Sequence, residues 1–250
     1  MSETSAPVLQ PHHRLKVDTH LGPLLLRAQF DVAAPWTVIF GPSGSGKSSL
    51  LRAACGLLRS RSVEFSERST LGVRWLELNT PPQTTPPHLR AIGYAPQGAV
   101  LFPHLSVEKN VSFAADARRH HVESAQIISA SMNLFDLGPL AQRMPHNLSG
   151  GERQRVNLAR AFAVPGARLL LLDEPFTGVD RRLRDALIPR MKLHIAQLGV
   201  PVLSVTHDVE EALLLGAEVI RLEQGAVLAQ GPASQVLADE RARMLKVIQP

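Results

Sequence analysis

Eight residues, Gly41-Pro42-Ser43-Gly44-Ser45-Gly46-Lys47-Ser48, fit the pattern G-x-x-x-x-G-K-[ST] at every fixed position. They stand between a strand-like run, Trp36–Phe40, and a helix-like run over residues 49–58. Strand, glycine turn and helix in that order open an α/β core, and they make the turn a cradle for a nucleotide phosphate. Its glycines let backbone N–H groups turn inward around a β-phosphate, Lys47 adds a cation, and Ser48 offers a hydroxyl to Mg²⁺. The helix that follows points its positive end at the anion. Gly41, Pro42, Ser43, Gly44, Ser45, Gly46, Lys47, Ser48 and Ser49 are therefore the candidate nucleotide-binding residues. The alternative, a plain glycine-rich turn, does not account for the flanking strand and helix.

A chain of 250 residues that is 44% hydrophobic can bury a sizeable core, as one large or two small domains. The formal net charge is +5, but the basic residues are scattered, and pairs such as Arg118-Arg119 and Arg181-Arg182 interrupt helix-like stretches. Scattered cations are solvated faces, so nucleic acid is not expected as a partner. Cys55 is the single cysteine, which excludes a disulfide within the chain, and its place in an apolar helix suits a small buried hydrophobe. Residues 1–11 are polar and proline-bearing, unlike a secretory signal. No apolar run reaches the roughly 18 to 20 residues of a membrane span, so work at a membrane would need a span from another chain.

Further along, Leu24–Val32 reads as a strand, and residues 63–65 with 72–78 read as a short antiparallel pair. Residues 79–88 contain Pro81, Pro82, Pro86 and Pro87 and are expected to form a surface loop with neither ladder nor helix. Residues 107–163 are helical in pattern, with breaks at Gly138-Pro139, at Pro145 and at Ser149-Gly150-Gly151. They form a helical insertion between two parts of one α/β core. The core resumes at Leu169-Leu170-Leu171-Leu172, an unbroken apolar run that suits a strand buried on both faces, followed at once by Asp173-Glu174-Pro175. Asp173 is placed to hold Mg²⁺ and Glu174 to accept a hydrogen bond from an attacking water, the second half of a P-loop ATPase site. Another strand, Val202–Val205, ends at Thr206-His207-Asp208 and brings His207 to the same sheet edge. The pairs His12-His13 and His120-His121 carry no metal-ligand pattern, because neighbours do not share a helix face.

The heptapeptide Leu148-Ser149-Gly150-Gly151-Glu152-Arg153-Gln154 resembles the signature motif of ATP-binding cassette (ABC) ATPases. The P-loop and Tyr94-Ala95-Pro96-Gln97 precede it, and the Leu169 to Glu174 strand and His207 follow it, in the family's order. The resemblance covers residues 24–235. It implies an α/β P-loop NTPase fold with an antiparallel β subdomain and an inserted α-helical subdomain: a single ABC ATPase domain over 1–250, with core parts 1–97 and 164–250 and a helical part 98–163. It implies ATP and Mg²⁺ as cofactors, with Ser48, Gln97 and Asp173 at the metal. Lys47, Gln97, Glu174 and His207 are then the catalytic set, Gln97 sensing metal and water and His207 touching the γ-phosphate. Ser149, Gly150, Gly151 and Glu152 form a second half-site, and Asp180 lies in a loop between subunits. A physical reason stands beside the resemblance, since paired glycines at a helix start expose N–H groups to an anion. A simple helix-starting turn is the alternative. In the family this half-site faces the P-loop of a second copy, which implies a homodimer around two ATP molecules.

The run from Gly93 to Val107 is similar to the ATPase subunits of bacterial importers, most closely those for molybdate and related oxyanions. This implies a membrane permease as partner, an indirect extracellular or periplasmic solute-binding protein, and a peripheral position on the cytoplasmic face of the inner membrane. Phe102 and Leu105 either line a groove for the permease or belong to the helical subdomain's own core. Three features depart from the family: many such importers have a β domain beyond the position of Pro250, the adenine-stacking region at residues 17–21 offers only His20, and the loop before Asp180 reads Thr177-Gly178-Val179. Two other classes compete with transport. A non-transport ABC-type ATPase acting on a protein assembly needs no permease groove, and a small-molecule kinase on a P-loop has no use for residues 148–154.

Overall fold

Three neighbouring strands with almost no polar alternation form the centre of the molecule. In the computed structural model, which describes residues 13–32, 35–58, 62–69, 72–80, 83–118, 121–215 and 217–248, these are β3 (Trp36–Phe40), β8 (Leu169–Asp173) and β9 (Val202–Val205). Every residue of β8 and β9 is buried, as are the first four of β3. Strands covered on both faces lose the alternation of a half-solvated sheet and pair in parallel under flanking helices. Successive leucines of β8 divide accordingly: Leu170 and Leu172 join one core cluster, Leu169 and Leu171 the other.

The remaining strands are β1 (His13–Leu21), β2 (Leu24–Val32), β4 (Ser62–Ser69), β5 (Gly72–Thr80), β6 (Gln83–Thr84), β7 (Ile92–Ala95), β10 (Glu218–Glu223) and β11 (Ala226–Pro232). All join one sheet in the order β6-β5-β4-β1-β2-β11-β10-β3-β9-β8-β7. From β10 to β7 the pairings are parallel, whereas the β1, β2, β4, β5 and β6 end is antiparallel. β2 alternates between buried Leu26, Ala28, Phe30 and Val32 and exposed Leu25, Arg27 and Gln29. Its outer surface carries the cross-strand ion pairs Arg14–Asp31 at 2.7 Å and Arg27–Asp18 at 3.0 Å.

The helices are α1 (Lys47–Ala54), α2 (Val107–Arg118), α3 (His121–Leu134), α4 (Gly150–Phe162), α5 (Arg181–Leu198), α6 (Val209–Leu214), α7 (Ala233–Val236) and α8 (Ala238–Ile248). α1 packs beneath the sheet with Leu50, Leu51 and Ala53 fully buried. On the other face α2, α3 and α4 share a core in which Phe135 and Phe162 meet edge to face at 5.3 Å. α5 runs past Pro189 and stops at Gly199, whose φ of 64° is the left-handed closure glycine tolerates.

The expected strands and the helical stretch over 107–163 are present, and the antiparallel pair β4/β5 is longer than expected. Residues 79–88 differ from the sequence reading. β5 continues to Thr80, β6 pairs Thr84 with Asn79 and Gln83 with Thr80, and Pro87–Leu89 form a 3₁₀ turn. Proline removes only its own donor, so Gln83 and Thr84 can still pair at the sheet's outer edge, and Pro87 sits where a first helical turn needs no N–H. The readings made for residues 1–12, Pro81, Pro82, Arg119 and His120 lie outside the described residues. Cys55 is buried at the end of α1, and burial raises its thiol well above the usual range. Truncating the central strand at Leu171→Ala should cost about 2 to 5 kcal/mol, read as a lowered urea midpoint with unchanged slope.

Candidate active site

The P-loop closes over the carboxyl end of β3. A Cβ at Gly41 would collide with the carbonyl oxygen of Leu222 on β10, so only glycine fits there. Gly44 and Gly46 have φ of 80° and 99°, and Gly46 caps α1 in the left-handed region. Lys47 opens the helix and turns its ammonium back along the loop, donating to the carbonyls of Gly41 at 2.8 Å and Pro42 at 2.7 Å. Burial lowers its pKa, against the opposing pull of Glu174 and Asp173. Ser45 Oγ is buried without a hydrogen-bond partner among the described residues, an orphan of the kind a phosphate oxygen satisfies.

Strand β8 delivers two carboxylates to this loop. Asp173 is only 2% exposed and accepts a hydrogen bond of 2.9 Å from Ser48 Oγ. Burial pushes its carboxyl up, Ser48 and Lys47 pull it back, and the neighbouring Glu174 pushes it further. Glu174 follows the strand with φ of 50°, a left-handed conformation uncommon for a non-glycine residue. Its carboxylate accepts from Gln97 Nε2 at 3.0 Å and from Thr177 Oγ1 at 3.1 Å, and its other oxygen meets His207 Nδ1 at 3.2 Å. The His207 side chain is 70% exposed and that of Glu174 18%. Lys47, Ser48, Gln97, Asp173, Glu174 and His207, widely spaced in the sequence, therefore converge at one edge of the sheet.

The glycine turn at 149–151 forms a separate cluster. Ser149 caps α4 by accepting from Glu152 N at 3.3 Å, while Glu152 accepts from Ser149 N at 2.7 Å. That reciprocal capping box holds the Glu152 carboxyl below its usual range. Gly151 lies under the carbonyl of Gly178, and Asp180 caps α5 through Arg182 N at 2.9 Å. Glu152 and Asp180 thus fix helix ends, while Gly150 is exposed at the tip.

Beside Gln97 lies a groove of about 900 Å³ lined by Tyr94, Val100, Phe102, Phe113 and Arg160 among others. Phe102 stacks on Phe113 with centroids 4.3 Å apart and lies 5.3 Å beneath the Arg160 guanidinium. Of the two candidates weighed for this groove, Phe102 lines it and Leu105 is not among its lining residues.

The sequence profile of ABC transporters matches residues 28–177. The chain belongs to that family. It is 39% identical over 219 residues to the molybdenum import ATP-binding protein ModC of Rhodobacter capsulatus, covering 87% of this chain and 58% of that relative. It is also 32% identical to the molybdate/tungstate import ATP-binding protein WtpC of Archaeoglobus fulgidus, covering 94% of this chain and 93% of the other. The chain therefore spans a little over half the length of the ModC relatives it matches. The dimeric ATP-binding cassette MJ0796 in a post-hydrolysis state bound to ADP and Pi shares its fold, with a TM-score of 0.73, 24% identity and coverage of 88% and 98%. CbiO1 of Clostridium perfringens does so with a TM-score of 0.72, 23% identity and 96% coverage of each chain.

Several contacts of this cassette were not visible in the sequence. Thr177, read only as a departure from the family, gives its hydroxyl to Glu174. Asn157 holds the Gln97 loop by donating to Pro96 O at 2.8 Å. Glu211, in the helix after His207, is 5% exposed, and one of its oxygens has no hydrogen-bond partner among the described residues. Burial pushes its carboxyl up to about 8; Thr206 and Arg184 oppose this, and Asp208 and Glu174 reinforce it. A carboxyl raised in the folded state binds its proton more tightly there, so its stabilising contribution is lost as pH rises from the ordinary value of 4.5 through about 8. The melting temperature of wild type should therefore fall relative to Glu211→Gln across that window and run parallel to it at higher pH.

Proposed function

We propose that this chain is the ATP-hydrolysing subunit of an importer that takes up molybdate or a related oxyanion through a separate membrane permease. The observation that carries the hydrolytic part is the Glu174 carboxylate, hydrogen-bonded by Gln97, Thr177 and His207 beside an Asp173 that accepts from Ser48. The P-loop amides and Lys47 take the β- and γ-phosphates. Glu174 accepts a proton from the in-line water as its oxygen bonds to the γ-phosphorus and the bond to the β-phosphate oxygen breaks, with His207 steadying the transferred group. Gln97 touches the same carboxylate and responds to whether water and metal are in place.

Hard oxygen donors suit Mg²⁺, and the Ser48 hydroxyl and Asp173 carboxylate, 2.9 Å apart, fit an ion held through few protein ligands and substrate phosphates. Ser48, Asp173 and Gln97 would hold it, and when bound it neutralises charge on the phosphate oxygens. Among the described residues no cluster of three or more His, Cys, Asp or Glu side chains competes as a metal site.

The exposed start of α4 supports a homodimer in which Ser149, Gly150, Gly151 and Glu152, with Asp180 alongside, complete the nucleotide site of a second copy. On this reading residues 98–163 form a helical unit that shifts against the core parts 1–97 and 164–250. The groove at Phe102 and Phe113 receives a segment of the permease, and a solute-binding protein meets the permease from outside. No described helix is long and apolar enough to cross a membrane. On this reading the permease supplies the span, and the chain sits against it on the cytoplasmic face of the inner membrane. The names of the ModC and WtpC relatives support the oxyanion.

Turnover of Glu174→Gln tests the chemistry: kcat should fall by about 100-fold or more while ATP still binds, whereas Lys47→Ala should weaken ATP binding itself. Normal turnover in Glu174→Gln would remove the assigned base. In vesicles containing the permease, Phe113→Ser should reduce molybdate uptake more than it reduces ATP hydrolysis; equal losses would argue against a coupling groove.

A further inference from the structure

The backbone at Glu174 is held from an unexpected direction. Its φ of 50° is one that a side chain with a Cβ rarely adopts, so surrounding contacts must fix it. Glu174 N donates to Val205 O at 3.0 Å, which ties the residue to β9, and Thr177 N donates to Glu174 O at 3.3 Å. The third tie comes from α4, the helix that Ser149 caps. Gln154, 3% exposed, gives the two protons of its amide nitrogen to Pro175 O at 2.8 Å and Glu174 O at 3.3 Å.

We propose that Gln154 is a positioning residue for hydrolysis: by bonding the carbonyls of Glu174 and Pro175 it holds the catalytic carboxylate in its left-handed backbone setting, and it ties α4 to that carboxylate within one chain. The inference rests on the reading of Glu174 as the base. The direction of the Glu174 side chain follows from its backbone, and from φ of 50° it reaches Gln97, Thr177 and His207 together. A relaxed backbone would turn the carboxylate away from all three. A buried amide is kept only where its donors are satisfied, and both donors of Gln154 are used on this one loop. The same helix carries Ser149 and Glu152 at its exposed start, and Gly151 lies under Gly178 O in the turn that follows Glu174. A shift at the start of α4 is therefore felt at Glu174 O, so ligand at the glycine turn reaches the chain's own hydrolytic site through Gln154.

The test compares two variants with wild type and with Glu174→Gln. Gln154→Leu keeps the shape without the donors. It should lower kcat by about 10- to 100-fold while KM for ATP moves by less than about threefold, because the lost contact acts on the transition state. Gln154→Glu places a carboxyl against the same two carbonyls; ionised it repels them, and protonated it donates to one. Burial raises such a carboxyl, so the kcat of Gln154→Glu relative to wild type should recover as pH falls from about 8.5 to about 6. A merely structural role predicts instead that the loss of kcat in both variants follows the loss of melting temperature at every pH, and that result would overturn the proposal. So would wild-type kcat in Gln154→Leu. If Gln154→Leu does not fold, Gln154→Glu decides alone: a kcat loss at a pH where its melting temperature shows it fully folded supports the proposal, and wild-type kcat there overturns it. Normal turnover in Glu174→Gln would bring down the underlying assignment, whereas its loss beside a normal Gln154→Leu would bring down this inference only.

Discussion

Parallel pairing of β8 with β9, and of β9 with β3, sets the level at which the groups of the candidate site leave the sheet. Asp173 lies opposite Val205, and Val205 opposite Ile39, so the three strands end together. Backbone bonds carry this alignment past the strand ends, from Glu174 N to Val205 O and from Thr206 N to Ile39 O. An all-apolar strand has no solvent face to fix its register, and a slip by one residue would exchange the two core faces. Here the indole of Trp36 donates to Ser204 Oγ at 2.8 Å inside the core, a directional contact that apolar packing alone does not supply. The P-loop, the carboxylate pair and His207 depend on that register.

Two carboxylates adjacent in sequence at the end of a buried strand would repel each other if both faced the same way. Strand alternation and the left-handed turn at Glu174 separate them. Asp173 goes down to Ser48, and Glu174 goes outward to Gln97, Thr177 and His207. Each contact of Glu174 comes from a different segment, so the carboxylate reports on the Gln97 loop, on the turn before α5 and on the loop after β9 at once. The amide of Gln154 adds the helix that starts at the glycine turn. Chemistry that relies on positioning and electrostatics needs this kind of convergence more than it needs any single strong group.

Much of this could be read from the sequence because it is local. The P-loop octet needs only its glycines, lysine and serine, and the four leucines before Asp173-Glu174 announce a strand covered on both faces. Other parts depend on distant partners. β7, only Ile92–Ala95, becomes a strand by lying along β8, and β11 leaves every residue exposed or half-buried, so its short apolar start, Ala226 to Ala229, gives no polar alternation to mark a strand. Gln83 and Thr84 pair among prolines because β5 is already there to receive them. Thr177 and Gln154 lie within recognised motifs, yet their acceptors, Glu174 and Pro175, are fixed only once α4 packs beneath the loop after β8. Glu211 carries no signal at all in the sequence, since its perturbation comes from burial.

The shared-site account makes one demand that a single chain cannot meet: the exposed start of α4 has to find the phosphates bound by another copy. Sedimentation velocity of Glu174→Gln with and without Mg-ATP tests this most directly, because ATP would persist in the non-hydrolysing variant. A shift from monomer to dimer on adding Mg-ATP, reversed when ADP replaces it, is the predicted result. A variant that binds ATP yet sediments as a monomer at every concentration would contradict it.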